Sequence, residues 1–165
     1  MIIVQDGIQW MLGPEPKNLS SEWKNEVLEL FLNENGEQYS SASVSNLNIP
    51  KWGGNLLLLE GTNYTNAKCL KGLFWSTPFK DDIVRVAAFS ICSELQSKGL
   101  GSLAWNHFVD CALNAGYRKV QLEVKASNIR GQEFYRKRGL VIMNELKGYY
   151  SSGLGYMMRG DLKKY

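Results

Sequence analysis

The chain has 165 residues, which fits one domain able to bury a proper core. Its net charge of +3 is too mild to point to nucleic acid, although it suits an anionic ligand such as a nucleotide cofactor. Cys69, Cys92 and Cys111 are odd in number and far apart, and His107 stands alone, so reduced thiols are expected and a metal site is not.

In chain order, the opening Met-Ile-Ile-Val-Gln-Asp lacks a basic region followed by an apolar core, so no signal peptide is expected. Ser20 or Ser21 can cap a helix with Trp23, Val27, Leu30 and Phe31 on one face, ending near Asn35-Gly36. Glu37–Asn48, rich in Ser and Asn with little periodicity, reads as a loop whose length suggests a place over a binding site. Pro50 and Gly53-Gly54 close that region. Strands follow at Asn55–Glu60 and Ala67–Trp75, separated by a turn-like Gly61–Asn66, with Pro78–Asp82 as the next connection. The longest apolar run, Leu56–Leu59, is too short to span a bilayer, so a cytoplasmic protein without a membrane partner is expected, as a monomer or homodimer.

Ile83–Cys92 is apolar in both alternating sets, as a strand in the middle of a sheet requires. Gly101–Ala115 reads as a helix with Leu103, Ala104, Phe108, Cys111, Ala112 and Ala115 on one face, and Gly116 at a left-handed cap. Val120–Lys125 alternates cleanly. Asn128 can cap a short helix, Ile129–Arg138, stopped by Gly139, and Val141–Leu146 and Gly155–Arg159 are the last strands. With no repeat and no linker, residues 1–165 read as a single α/β domain with a mixed sheet.

Gln96, Ser97, Lys98, Gly99, Leu100, Gly101 and Ser102 lie between the buried strand and the helix. Glycines at 99 and 101 let the backbone approach a ligand, and the helix start offers unpaired N–H groups that favour a phosphate. Lys98 precedes the glycine, against the order of a P-loop, and Ala104 stands where a dinucleotide fingerprint has its third glycine. A second reading is open here: the glycines permit tight strand-to-helix packing and nothing more.

The Gln-x-x-Gly-x-Gly pattern resembles motif A of the GNAT acetyltransferase superfamily. Leu122–Asn128, then Phe134-Tyr135 and Gly139-Leu140, looks like its motif B, at spacings similar to the ribosomal-protein-alanine and related N-terminal acetyltransferases. Tyr149-Tyr150 resembles the C-terminal tyrosine pair of that subfamily. The resemblance covers roughly residues 83–159. Ser93 and Leu95 depart from the usual Pro and aromatic residue, and Tyr39–Trp52 matches no pattern, which leaves the acceptor open.

The resemblance implies a GNAT-type fold, a mixed, mostly antiparallel sheet flanked by helices, with acetyl-CoA as cosubstrate and no metal. It implies that the strand splays from its neighbour, so that the main chain of Phe89, Ser90 and Ile91 meets the pantetheine arm, with the Ile91 N–H polarising the thioester carbonyl. Residues 96–102 would hold the pyrophosphate, Asn128 the pantetheine arm, and Tyr149 and Tyr150 the acceptor. Glu123 would take the proton of the amine and Tyr135 would give one to the leaving thiolate.

Plainer roles stand beside these. Glu123 also fits a solvated strand residue paired with Lys125 or Arg118, Tyr135 a packing aromatic, and Asn128 a helix cap. Arg136, Lys137 and Arg138 read as a solvated helix end that could also meet the 3′-phosphate of the cofactor. The expected activity is acetyl transfer to a primary amine in a ternary complex, the acceptor being a protein N-terminus, a small amine or a lysine. A non-catalytic acyl-CoA-binding module, or a nucleotide-binding protein, is the alternative.

Overall fold

Short apolar runs bounded by turns build the sheet, and two longer amphipathic stretches lie across it. The computed structural model describes residues 3–5, 7–36, 49–150 and 153–164. Its strands are β1 (Ile3–Gln5), β2 (Ile8–Leu12), β3 (Leu56–Glu60), β4 (Leu70–Lys80), β5 (Ile83–Ile91), β6 (Lys119–Lys125), β7 (Val141–Tyr150) and β8 (Gly153–Asp161). Its α-helices are α1 (Ser21–Asn35), α2 (Leu100–Asn114) and α3 (Ile129–Arg136). The strands form one sheet in the order β1-β2-β3-β4-β5-β6-β8-β7. Among the described residues β5 and β6 run parallel and the other neighbours antiparallel, so the sheet is mixed and mostly antiparallel, as expected.

Strand alternation sorts the core into two layers. Leu57 and Leu59 of β3 and Leu73 and Trp75 of β4 face α1, where they pack on Val27, Leu30 and Phe31. Leu56, Leu58, Phe74, Val84, Val86, Val120 and Leu122 face the other way, against Trp105, Phe108, Val109 and Tyr135 of α2 and α3.

Helix α1 starts where its cap was read: Ser20 Oγ accepts from the Trp23 N–H at 3.4 Å, and Gly36 ends it at φ +69°. The buried arc of α2 is turned from the expected one. Leu103 and Cys111 are half-buried, while Trp105 and Val109 are buried, because Trp105 packs on Phe108, Phe134 and Tyr135 at centroid distances of 5.5, 6.0 and 5.8 Å. Asn128 Oδ1 accepts from the Gly131 N–H at 2.9 Å and caps α3.

Several boundaries differ from the sequence reading; β7, for one, runs past Leu146 to Tyr150, and β8 spans Gly153–Asp161. No element was read before Ser20, yet β1 and β2 pair there; β2 buries Ile8 and Trp10, but apolar Met11 and Leu12 blur its alternation. Ala67–Cys69 is a single 3-10 turn, so β4 begins later, at Leu70. Pro78 lies inside β4 rather than in the connection. It is tolerated because β3 stops pairing at Leu56↔Phe74, so the end of β4 has β5 on one side only. The loop read at Glu37–Asn48, and with it most of Tyr39–Trp52, lies outside the described residues. No described helix is long and apolar enough to cross a membrane.

Candidate functional site

The site begins where two parallel strands part. β5 and β6 pair from Ile83↔Lys119 to Val86↔Leu122. Beyond that, β5 continues to Ile91 against β4, and β6 continues to Lys125 against β8. A wedge opens between them. The Cys92 N–H donates to Lys71 of the β4 side at 2.8 Å, so alternation turns the Ile91 and Phe89 N–H groups towards the wedge. The main chain of Ser90 faces β4 instead, and its buried hydroxyl accepts from Asn35 Nδ2 at 3.2 Å.

The turn after β5 is braced before α2 begins. Gln96 Nε2 donates to the Ile91 carbonyl at 2.7 Å and to Glu34 Oε1 at 3.0 Å. Glu34 also accepts from the Ser93 hydroxyl at 2.9 Å. Gly99, at φ +81°, is the N-cap of α2 and offers no side chain to the first N–H groups of the helix. A Cβ added at Gly99 would meet nothing within 4 Å, and one at Gly101 would meet Phe134 and Phe89 at 3.4 Å, ordinary contact. Packing within the chain therefore does not account for the glycine at 101. Arg130 bonds the Ser97 hydroxyl, Arg138 Nη2 donates to Ser102 Oγ at 2.6 Å, and Lys98 is exposed nearby. Leu100 buries its side chain in the core and presents only main chain.

Arg138 is not the solvated helix end that the sequence suggested. It is buried, with its guanidinium 3.5 Å over the Phe134 ring, and the planar cation is compatible with that aromatic cover. Arg136 and Lys137 are exposed.

Below the wedge lies a cavity of about 590 Å³, whose walls include Phe89, Glu123, Asn128, Tyr135, Tyr149 and Tyr150. Glu34 and Asn35 of α1, with Arg85, Lys125 and Ser127, complete its polar lining. Ser90, Ile91 and the turn from Gln96 to Ser102 lie outside this lining, along the end of β5 and the start of α2. Aromatic side chains line this cavity and build the cluster around Trp105.

Glu123 is neither solvated nor paired with Lys125 or Arg118. Its side chain is 11% exposed, and Oε1 accepts from Arg85 Nε at 2.8 Å, from Arg85 Nη2, and from the Tyr149 hydroxyl at 3.1 Å. Oε2 is buried with no hydrogen-bond partner. The carboxylate raises Arg85 above its ordinary pKa despite burial, so the guanidinium stays charged. Burial and then Glu123 push the Tyr149 phenol up.

Tyr135 is buried, and desolvation pushes its phenol well above the ordinary value of 10.0, with Arg138 opposing weakly. It keeps its proton at any physiological pH. Cys92 is likewise pushed up by burial, to about 11, and remains a thiol rather than a nucleophile. Asn128 uses Oδ1 to cap α3, and the residue lies on the cavity wall. His107 sits away from this cavity, 2.6 Å from the Gly53 carbonyl, where it ties α2 to the chain before β3.

No site role follows from the sequence for Arg85, Glu34, Asn35 or Lys125. Arg85 left a signal, as the lone charge in a strand otherwise apolar on both faces. Lys125 donates to the Asn35 carbonyl at the end of α1, a natural place for a cation, and its Nζ lies 5.7 Å from the Tyr150 ring. Nothing local in the sequence joins residues 90 positions apart.

The model of the Acetyltransferase (GNAT) family matches residues 24–140. Among solved structures, the chain is similar to Ard1 from Thermoplasma volcanium, at 21% identity and a TM-score of 0.76 over 96% of this chain and 99% of that one. It is also similar to Arabidopsis thaliana Naa50 in complex with the bisubstrate analogue CoA-Ac-MVNAL, at 15% identity and a TM-score of 0.70 over 96% and 99% of the two chains. A third is a GNAT family acetyltransferase from Elizabethkingia anophelis with acetyl-CoA bound, at 14% identity and a TM-score of 0.67 over 96% and 100%. These likenesses concern the fold. No curated protein sequence matches the chain.

Proposed function

The chain belongs to the GNAT family of acetyltransferases, which take acetyl-CoA as donor, and we propose that it acetylates the α-amine of a polypeptide N-terminus. The observation that carries this reading is the meeting of Glu123, Tyr135, Tyr149 and Tyr150 in one cavity below the parting of β5 and β6.

The chain's groups fit acetyl-CoA along that path. The Phe89 and Ile91 N–H groups face the wedge, where an extended amide-bearing arm can pair with them as a further strand would. Gly101 leaves room for a close approach, and the uncapped start of α2, with Lys98 beside it, receives a pyrophosphate. Asn128 Nδ2 adds a donor on the arm's route.

The thioester supplies an acyl carbon open to an amine lone pair. An α-amino group has a reference pKa of about 8, so at neutral pH it must first lose a proton. Glu123 takes it, at the carboxylate oxygen left without a partner. The Ile91 N–H donates to the thioester oxygen, where negative charge develops. Tyr135 holds its proton at the hydroxyl and gives it to the departing sulfur, and the second proton lost by the acetylated nitrogen restores the phenol. No covalent link to the enzyme is needed. Tyr149 and Tyr150, ring centroids 4.9 Å apart at the end of β7, shape the entrance for the acceptor. A peptide suits this entrance, and the similar Naa50 structure holds a CoA–peptide analogue.

The test is a screen with acetyl-CoA that follows free-thiol release across short peptides, polyamines and amino acids. Release with peptides bearing a free N-terminus is expected. Release with polyamines alone would replace this reading by small-amine transfer.

A further inference from the structure

Arg85 stands at the vertex of the wedge. It lies opposite Gln121 in the parallel register, and the pairing of β5 with β6 ends one residue later, at Val86↔Leu122. Gln121 and Glu123 share a face of β6, so the guanidinium reaches forward from the last paired position on that face to the carboxylate. Both of its bonds to Glu123, and the bond from Tyr149, fall on Oε1. Arg85 Nη2 also donates to the Tyr149 oxygen at 3.2 Å, which closes a triangle of three side chains from β5, β6 and β7.

The two oxygens of Glu123 are thereby made unequal. Oε1 is saturated with donors, while Oε2 is buried and has no partner, although the side chain lines the cavity. A buried acceptor without a donor is rare in folded proteins and calls for an explanation. A donor brought by the bound acceptor would satisfy it.

We propose that Arg85 is a positioning residue of the transfer reaction, which with Tyr149 occupies Oε1 of Glu123 and dedicates Oε2 to the acceptor amine. The inference rests on Glu123 acting as the base. The proton passes from the amine nitrogen to Oε2, the lone pair stays on nitrogen to form the new C–N bond, and Arg85 balances the carboxylate's charge until that proton arrives. The other charged groups lining the cavity, Lys125 of β6 and Glu34 of α1, are engaged elsewhere, with the Asn35 carbonyl and with Ser93 and Gln96.

Arg85→Gln, Arg85→Lys, Tyr149→Phe and Glu123→Gln are compared by kcat and by the acetyl-CoA Kd from calorimetry. Arg85→Gln is expected to lower kcat on the order of a hundredfold, as misplacement of a reacting group does, with the Kd unchanged. Arg85→Lys restores part of kcat, having the charge without the two-point grip. Tyr149→Phe gives a smaller loss. A wild-type kcat in Arg85→Gln, beside an inactive Glu123→Gln, would overturn the inference while leaving the base in place. An active Glu123→Gln would remove the base itself. If Arg85→Gln does not fold, unchanged kcat in both Arg85→Lys and Tyr149→Phe overturns the inference.

Discussion

Gln96 Nε2 donates to the carbonyl of Ile91 at 2.7 Å, across the turn that joins β5 to α2. The bond occupies the Ile91 carbonyl and leaves its N–H as the group that residue offers to the wedge. Gln96 thus acts by holding the turn in place, with Glu34 behind it at 3.0 Å. Gln96→Ala is expected to weaken acetyl-CoA binding about five- to tenfold, or ~1–1.4 kcal/mol, through loss of the brace. Calorimetry with acetyl-CoA measures it, and an unchanged Kd would show that the turn holds its shape unaided.

Gly101 separates ligand room from chain packing. A Cβ there meets only ordinary contacts, and alanine favours a helix over glycine. Gly101→Ala should leave thermal stability equal or slightly raised while weakening acetyl-CoA at least about tenfold, or ~1.4 kcal/mol. Gly99→Ala differs, because φ +81° strains any side chain, and a stability loss of roughly 1–2 kcal/mol is expected from thermal unfolding. Equal acetyl-CoA affinity in Gly101→Ala would return that glycine to a packing role.

Glu123→Gln keeps the shape of the side chain and removes its capacity to take a proton. A fall in kcat of about a hundredfold or more is expected, with the Kd for acetyl-CoA within twofold of wild type. Steady-state kinetics beside calorimetry separates the two, and undiminished kcat would withdraw the base assignment.

Tyr135 links the site to stability at high pH. Its folded pKa is raised above the unfolded value near 10.0, so the stabilising difference is fully present below pH 10. It is lost as the pH rises above 10, because the unfolded chain ionises first. Thermal unfolding of wild type should therefore fall more steeply above pH 10 than that of Tyr135→Phe. Tyr135→Phe also lowers kcat without changing the shape of the profile below pH 10. Parallel melting curves across that range would contradict the burial of the phenol.

Much of the site was legible because its signals are local. The glycines at 99 and 101, the Asn128 cap and the alternation around Glu123 each follow from a few neighbouring residues. What escaped was set by distant partners. Arg85 meets Glu123 across 38 positions, and Lys125 meets the end of α1 across 90. Such pairs exist only once the sheet order is fixed. Arg138 looked solvated beside Arg136 and Lys137, yet the cover of Phe134 and the Ser102 hydroxyl bury it. Pro78 looked like a boundary until the short reach of β3 left the end of β4 an edge.

The most direct measurement uses two matched peptides, one with a free N-terminus and no lysine, the other with a blocked N-terminus and one internal lysine. Each is incubated with the protein and acetyl-CoA, and the modified atom is located by fragment mass spectrometry. Acetylation of the free α-amine, with the lysine peptide unmodified, is the expected result. Acetylation confined to the lysine side chain, or neither peptide modified while acetyl-CoA binds, would contradict N-terminal acetyl transfer by this chain.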